Sequence, residues 1–225
     1  MAGVSERTIH LTGDLTITED STPGGAQRQY EVRVLGALPL RPGKVVLDVG
    51  AGEGQRSLWL AGERGCDVIA VDPNASNVWT LREHAANRGL ERQITPHCGD
   101  VCALPLPNGA ADMAVALAVL GGVRDRTRAL SEIARCLKPG GLLLLGVYLP
   151  AEDAGWLQRR LVSTALGWPA PVTKPALEDA LGAAGFTTLQ TVQASPPPSV
   201  GAGKSVLDRA LRTGGWEHLV IVARR

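Results

Sequence analysis

A chain of 225 residues, 44% of them apolar and with a formal charge of +1, can bury one α/β core and is short for two. So even a charge balance leaves no electrostatic footprint for nucleic acid or an anionic membrane surface, and neither partner is expected. The longest apolar run, Leu142 to Leu149, is too short to span a bilayer.

Residues 1–10 lack the apolar segment of a secretion signal, and residues 1–25 are polar, with little regular structure expected. Tyr30, Val34 and Leu38 share one helical face, which predicts a helix over 26–38. Pro39, Pro42 and Gly43 break it. Strand one is expected at Lys44–Val49, then a helix from about Gly54 to Arg64 that Gly65 can end. Strand two, Asp67–Val71, leads into a helix over Asn74–Arg88 with Val78, Leu81 and Ala85 as its apolar face. Gln93–Cys98 reads as strand three, ending at Gly99-Asp100. Strand four, Asp112–Leu120, is the nearly unbroken apolar run expected where both faces are buried. A helix over Arg124–Leu137 follows and stops at Lys138-Pro139-Gly140-Gly141, before strand five at Gly141–Tyr148.

Beyond Pro150, helices are predicted at Ala151–Leu166 and Thr173–Ala184, the second with Thr173 as N-cap and Gly185 as terminator. Phe186–Val192 makes strand six. A Pro/Gly/Ser loop over 194–203 and a short helix precede the last strand, Trp216–Ala223. Strands alternating with helices predict a doubly wound, mostly parallel sheet with right-handed crossovers. Cys66, Cys98, Cys102 and Cys136 show neither a Cys-x-x-Cys pair nor zinc-like spacing. A cytoplasmic protein with reduced thiols and no bound metal is therefore expected.

In such a sheet the ligand lies beyond the carboxyl ends of the strands, where strand order reverses. Four features fall at that edge: the turn Gly50-Ala51-Gly52-Glu53-Gly54, Asp72, Asp100, and the segment Leu117–Gly122. Glycines let backbone approach a ligand closely. Asp72 ends strand two about twenty residues past the turn, the placement that reaches ribose hydroxyls, and a carboxylate can accept both hydroxyl protons. Its loss is expected to weaken binding by about tenfold or more with the melting temperature of the free protein nearly unchanged. A dinucleotide fingerprint has its third glycine one residue later than Gly54 and sets backbone amides against a pyrophosphate. Asp48 and Glu53 bracket the turn and would oppose a diphosphate, so a cationic ligand is expected and NAD disfavoured. Gly203-Lys204-Ser205 is not a phosphate loop, because Pro198 stands at the first glycine position and no strand leads in.

The stretches Val46-Leu47-Asp48-Val49-Gly50-Ala51-Gly52-Glu53-Gly54 and Ala70-Val71-Asp72-Pro73 belong together in order with Gly99-Asp100-Val101, Leu104-Pro105-Leu106-Pro107 and Leu137-Lys138-Pro139-Gly140-Gly141. Through them the chain resembles the class I S-adenosylmethionine-dependent methyltransferases, in the branch that includes quinone-biosynthesis C-methyltransferases and many small-molecule methyltransferases. The match spans roughly residues 40–150, and Leu177–Phe186 extends it. The resemblance implies a Rossmann-like, seven-stranded sheet with an antiparallel last strand, in one domain over 1–225. Residues 1–40 would form an N-terminal extension and helix, 41–150 the cofactor core, and 151–225 the acceptor-side helices and last two strands.

It also implies methyl transfer to a small-molecule acceptor, with S-adenosylhomocysteine as product. Asp48, Gly50, Ala51, Gly52 and Gly54 would lie against the methionine and ribose of the cofactor, and Asp72 on the ribose hydroxyls. Pro73 would pack on the adenine, Asp100 and the Val101 amide would meet its edge, and Leu117 would complete the set. Where relatives often carry Ser or Asn and a His, this chain has Ala116, Leu117, Gly121 and Gly122, so no general base stands in the motif and the catalytic residue is left unassigned. His10, His84, His97 and His218 are the available imidazoles. Tyr30, Tyr148 and Trp156 are the acceptor-side candidates, with Trp168 nearby. The plain Ala-Leu-Gly-Gly composition there also admits a non-catalytic cofactor-binding or partner protein on the same fold. The acceptor atom and the oligomeric state stay open.

Overall fold

The computed structural model describes residues 34–36, 38–150, 172–194 and 216–225, with isolated positions 155, 160, 164, 168 and 169. Its elements in chain order are β1 (Val45–Val49), α1 (Gln55–Gly62), β2 (Asp67–Asp72), α2 (Ala75–Ala86), β3 (Ile94–Cys98), β4 (Ala111–Leu117), α3 (Arg126–Cys136), β5 (Leu137–Pro150), α4 (Lys174–Ala183), β6 (Thr187–Ala194) and β7 (Trp216–Arg224). The strands form one seven-stranded sheet in the order β3-β2-β1-β4-β5-β7-β6. All neighbours run parallel except β7, which is antiparallel to both β5 and β6. The chain moves outward from β1 to β3 and then crosses back to lay β4 on the other side of β1, so the switch point lies between β1 and β4.

Both faces of the sheet are covered, which is why its central strands are apolar throughout rather than alternating. Leu47, Val49, Leu143, Leu145 and Val147 pack on one side with Leu130 and Ile133 of α3 and Leu177 of α4. Val46, Val115, Leu142 and Leu144 pack on the other with Val34, Leu35, Leu58 of α1 and Leu81 of α2. Helix ends follow the local chemistry. The Asn74 side chain caps α2 through the Ser76 amide and Asp125 caps α3 through the Arg128 amide. Gly185 ends α4 with φ +82, the Phe186 amide reaching back to the Leu181 carbonyl. Thr173 stands at the N-cap of α4 in extended conformation, but its hydroxyl makes no cap bond and a proline opens the helix instead.

Two strand boundaries differ from the sequence reading by more than two residues. β4 stops at Leu117 rather than Leu120 because Ala118 takes φ +58 and leaves the ladder, after which Leu120–Gly122 make a short 3-10 turn. β5 starts at Leu137 rather than Gly141. Leu137 pairs with Ala111 and Leu142 with Met113, so residues 138–141 form a bulge inside the strand. That bulge is held by Arg225, whose amide donates to the Gly141 carbonyl at 2.9 Å and whose carbonyl accepts from Gly140 at 3.1 Å. Lys138 and Lys44 each lie 3.1 Å from the Asp112 carboxylate at the base of the sheet. Of the helix read over 26–38, Val34 and Leu35 are helical and buried, but Gly36 is already a turn and Leu38, though buried, lies in a bend, so the helix ends earlier than read; residues 26–33 and 37 lie outside the described residues. So do most of the helix read over 151–166 and the loop and helix after 194. No helix among the described residues is long and apolar enough to cross a membrane.

Candidate cofactor and acceptor site

The Gly50–Gly54 turn leaves β1 at the switch point and is stitched to its neighbour. The Gly50 and Ala51 amides both donate to the Val71 carbonyl, at 2.8 and 3.1 Å. Gly50, Gly52 and Gly54 have φ of +66, +56 and +89, a region L side chains rarely enter. They serve different ends. A Cβ at Gly50 would lie 2.7 Å from Val119 and one at Gly54 would collide with Leu81 of α2, whereas one at Gly52 meets nothing within 4 Å. The outer glycines are demanded by packing. The middle one faces open space beside Asp72.

Asp72 is only 7% exposed. Its Oδ2 accepts from the Gly52 amide at 2.8 Å; Oδ1 accepts from the Asn74 amide and the Asn77 side chain, both at 3.0 Å. This carboxylate therefore ties the glycine turn to the start of α2. Its removal would leave three donors without their acceptor, which sets a cost in stability against the expectation of a nearly unchanged melting temperature.

Asp48 also departs from expectation. Its side chain is 0% exposed and does not present charge to the cleft. Oδ1 accepts from Arg56 Nε at 2.7 Å and Oδ2 from the Ser57 hydroxyl at 2.6 Å. A carboxylate this deep persists only when paired and hydrogen-bonded, and the first turn of α1 supplies both partners. Glu53 is exposed on the turn; its carbonyl lies 3.2 Å from His84 Nδ1 on α2. Of the acidic residues read around the turn, Glu53 and Asp100 are exposed, Asp72 is nearly buried and Asp48 is fully buried.

Asp100 is exposed and caps the short 3-10 turn Val101–Ala103, accepting from the Cys102 amide at 2.7 Å. The segment after it is fastened to α3 by a network the sequence reading missed. Glu132 accepts from the Leu104 amide at 2.9 Å, and Arg135 donates to the carbonyls of Leu104 and Leu106 at 3.0 and 2.7 Å. The paired Arg135 holds the Glu132 carboxyl below its usual range. The i,i+3 spacing of Glu132 and Arg135 was the available signal, but it reads equally as a solvated helix face. Pro73 is exposed at the end of β2 and its carbonyl lies 3.6 Å from Cys98 Sγ. Val101 is buried.

Past β4 the character changes. Leu117 is half-buried, and a Cβ at Gly146 of β5 would lie 2.7 Å from its Cδ2. A Cβ at Gly121 would collide with the indole of Trp168, which is seated against that position. Tyr148 and His218 face each other across the β5/β7 ladder and stack at 4.5 Å with 23° between planes, while the Trp168 ring centroid lies 6.3 Å from Tyr148. Both stacked rings are buried, and burial pushes the Tyr148 phenol well above its ordinary range. The structure thus adds His218 to Tyr148 and Trp168, which the sequence reading had already set on the acceptor side. It leaves His97 apart, half-buried on β3. Tyr30, Trp156 and His10 lie outside the described residues. All four cysteines are free, and burial raises the thiols of Cys66 and Cys136. Among the described residues, no group of three or more His, Cys, Asp or Glu is placed to hold a metal ion.

A glycine turn at the switch point, a carboxylate closing β2 and a reversed β7 between β5 and β6 define a Rossmann-like fold. Residues 47–145 match a family described as a methyltransferase domain. Over 140 residues the chain is 30% identical to 27-O-demethylrifamycin SV methyltransferase of Amycolatopsis mediterranei, covering 62% of this chain and 52% of that one. It is 32% identical over 132 residues to a ubiquinone/menaquinone biosynthesis C-methyltransferase of a Marinomonas species, covering 57% and 52%. Among solved structures it resembles geranyl diphosphate methyltransferase in complex with S-adenosylmethionine, with a TM-score of 0.75 over 92% of each chain at 16% identity, a likeness of fold. The chain spans about half the length of the curated relatives it matches. Over this core the chain is thus similar to the class I S-adenosylmethionine-dependent methyltransferases.

Proposed function

We propose that this protein transfers a methyl group from S-adenosylmethionine to a small-molecule acceptor. The observation that carries this reading is the pairing of Asp72 with Gly52. A buried carboxylate stands beside the one glycine of the turn whose Cβ position is open, at the point where a ribose must approach backbone closely. Charge supports this cofactor as well: the turn and the segments after β2 and β3 carry Glu53, Asp72 and Asp100, whose negative charge would favour a ligand that is cationic overall.

In this reading Gly50, Ala51, Gly52 and Gly54 lie along the methionine and ribose. Asp72 accepts from the ribose hydroxyls, Pro73 packs on the adenine, and Asp100 with the Val101 amide meets its polar edge. Leu117 closes the cofactor from the β4 side. Bound there, S-adenosylmethionine supplies an electrophilic methyl on a positively charged sulfur, with a good leaving group behind it. The protein's share of the rate is then chiefly positioning and exclusion of water. Tyr148, Trp168 and His218 form the acceptor wall. Its phenol stays neutral at ordinary pH, since burial raises Tyr148, so the hydroxyl can donate a hydrogen bond but is no ready base. A base is needed only for an acceptor that must lose a proton.

Calorimetry with S-adenosylhomocysteine and S-adenosylmethionine tests the cofactor part, and binding of both is expected. Absence of heat with either, on protein shown to be folded, would end the proposal. Transfer of an isotope-labelled methyl from S-adenosylmethionine to a panel of phenols, quinols and amines tests the rest. Tight cofactor binding with no transfer to any of them would favour the non-catalytic cofactor-binding or partner role.

A further inference from the structure

We infer that Arg56 is a positioning residue for the cofactor: its buried guanidinium locks the peptide planes that open the glycine turn and cancels the charge of Asp48 beneath them. The inference rests on the reading of Gly50–Gly54 as the S-adenosylmethionine site.

Arg56 is the second residue of α1 and is 7% exposed. Burying a guanidinium is costly unless its charge and its donors are answered. Asp48 answers the charge, with Nε at 2.7 Å and an NH2 at 2.6 Å from one carboxylate oxygen. A plain buried ion pair would need no more. Yet the same NH2 also donates to two successive carbonyls, Val49 at 3.4 Å and Gly50 at 3.3 Å.

Those two carbonyls belong to the peptide units whose amides, Gly50 and Ala51, both donate to the Val71 carbonyl. Each of the two planes is therefore gripped on both sides, by Arg56 at its oxygen and by β2 at its nitrogen. The next free amide, Gly52, is taken by Asp72 at 2.8 Å. The turn is thus set before any ligand arrives, and holding a binding loop in its bound shape spares the ordering cost of association. Lysine could keep the charge at position 56. It could not keep the planar fork that reaches a carboxylate and two carbonyls at once.

The charge consequence is separate. With Arg56 in place, the Asp48 carboxylate contributes little net field at the turn, so Arg56 should affect S-adenosylmethionine, which is cationic overall, and S-adenosylhomocysteine, which is neutral overall, to the same extent. A residue acting on the ligand by charge would instead change the ratio of the two affinities.

The variants are Arg56→Lys and the double variant Asp48→Asn with Arg56→Met, which removes the ion pair without orphaning either charge. Calorimetry with both ligands, thermal melting, and amide hydrogen exchange of Gly50, Ala51, Gly52 and Gly54 in the ligand-free protein are measured on each. Both variants are expected to bind both ligands about tenfold more weakly, with the ratio of affinities unchanged. Turn amides are expected to exchange about tenfold faster or more, while core amides of β4 and β5 do not change. Wild-type affinity and wild-type exchange in either folded variant would overturn the inference and leave Arg56 a structural ion-pair partner. A changed ratio of the two affinities would overturn the inference that Arg56 acts on both ligands alike through the shape of the turn. Should the double variant fail to fold, Arg56→Lys alone decides. If the wild-type protein binds neither ligand, the methyltransferase reading falls. The exchange measurement still tests whether Arg56 orders the turn.

Discussion

The two halves of the cleft are built by different means. On the β1–β2–β3 side nearly every functional group is fixed by a directed polar contact. Asp48 is held by Arg56 and Ser57, Asp72 by Gly52, Asn74 and Asn77, and Asp100 by the Cys102 amide. On the β4–β5–β7 side the contacts are those of shape: Trp168 on Gly121, Leu117 over Gly146, Tyr148 stacked on His218. Hydrogen-bond geometry tolerates little displacement, and a site built that way recognises one ligand. A wall of rings and aliphatic groups discriminates mainly by volume. On the proposed reading, the polar side would serve the cofactor, and the side built by shape would be where acceptor selectivity is to be sought.

Substitutions can break that contrast, and the largest effect is expected on the polar side. Gly54→Val puts a branched side chain into Leu81 at φ +89. It should cost about 3 kcal/mol or more through overpacking and backbone strain, read as a large fall in the denaturation midpoint. Next comes Asp72→Ala. Leaving three donors without their acceptor should cost about 1–3 kcal/mol of stability, and affinity for S-adenosylhomocysteine should drop by about tenfold or more. Calorimetry and melting on the same sample check both arms, and an unchanged melting point would show that the three bonds carry no net stability.

Gly121→Ala probes the other side. The methyl must push Trp168 off its seat, for about 1–2 kcal/mol, with a shift in tryptophan emission. S-adenosylhomocysteine affinity should stay at the wild-type value, and a loss there would erase the division between the halves.

The smallest effect lies far from the cleft, at Asp112. Burial alone would raise this carboxyl, but the Val45 amide, Lys138 and Lys44 outweigh it and hold it at about 2, against 3.8 unperturbed. A depressed folded-state value stabilises the protein above the unfolded value and stops doing so as pH falls through the folded one. Relative to wild type, Asp112→Asn should thus lose about 1 kcal/mol near neutrality, and the difference should vanish between pH 4 and pH 2. Urea unfolding across that range measures it.

The polar half was the more legible in the sequence, because glycines and carboxylates announce themselves by type and spacing. Strands one to three and their helices were placed to within a residue or two by period and punctuation. What failed there was partnership: Asp48 read as a charged rim because nothing local says that Arg56, eight residues on, folds back under the turn. The acceptor half was poorly legible for a different reason. Its contacts join β4, β5, β7 and the segment before α4, and the meeting of Tyr148 with His218 depends on the antiparallel register of β7. The early end of β4 turns on Ala118 at φ +58, a conformation that alanine does not advertise. The bulge at residues 138–141 looked like a helix terminator, since Pro-Gly-Gly serves either purpose.

The placement of β7 bears on how the molecule is made. It is the last strand in chain order, yet it sits between β5 and β6. During synthesis the flank of β5 that β7 covers therefore waits for residues 216–224 to emerge, and β6 joins the sheet only through β7. An unmatched apolar margin of that kind invites pairing between nascent chains. Pulse-labelled exchange during refolding should find the β5 amides that bond to β7 protected last; early protection would show that the gap closes by another route.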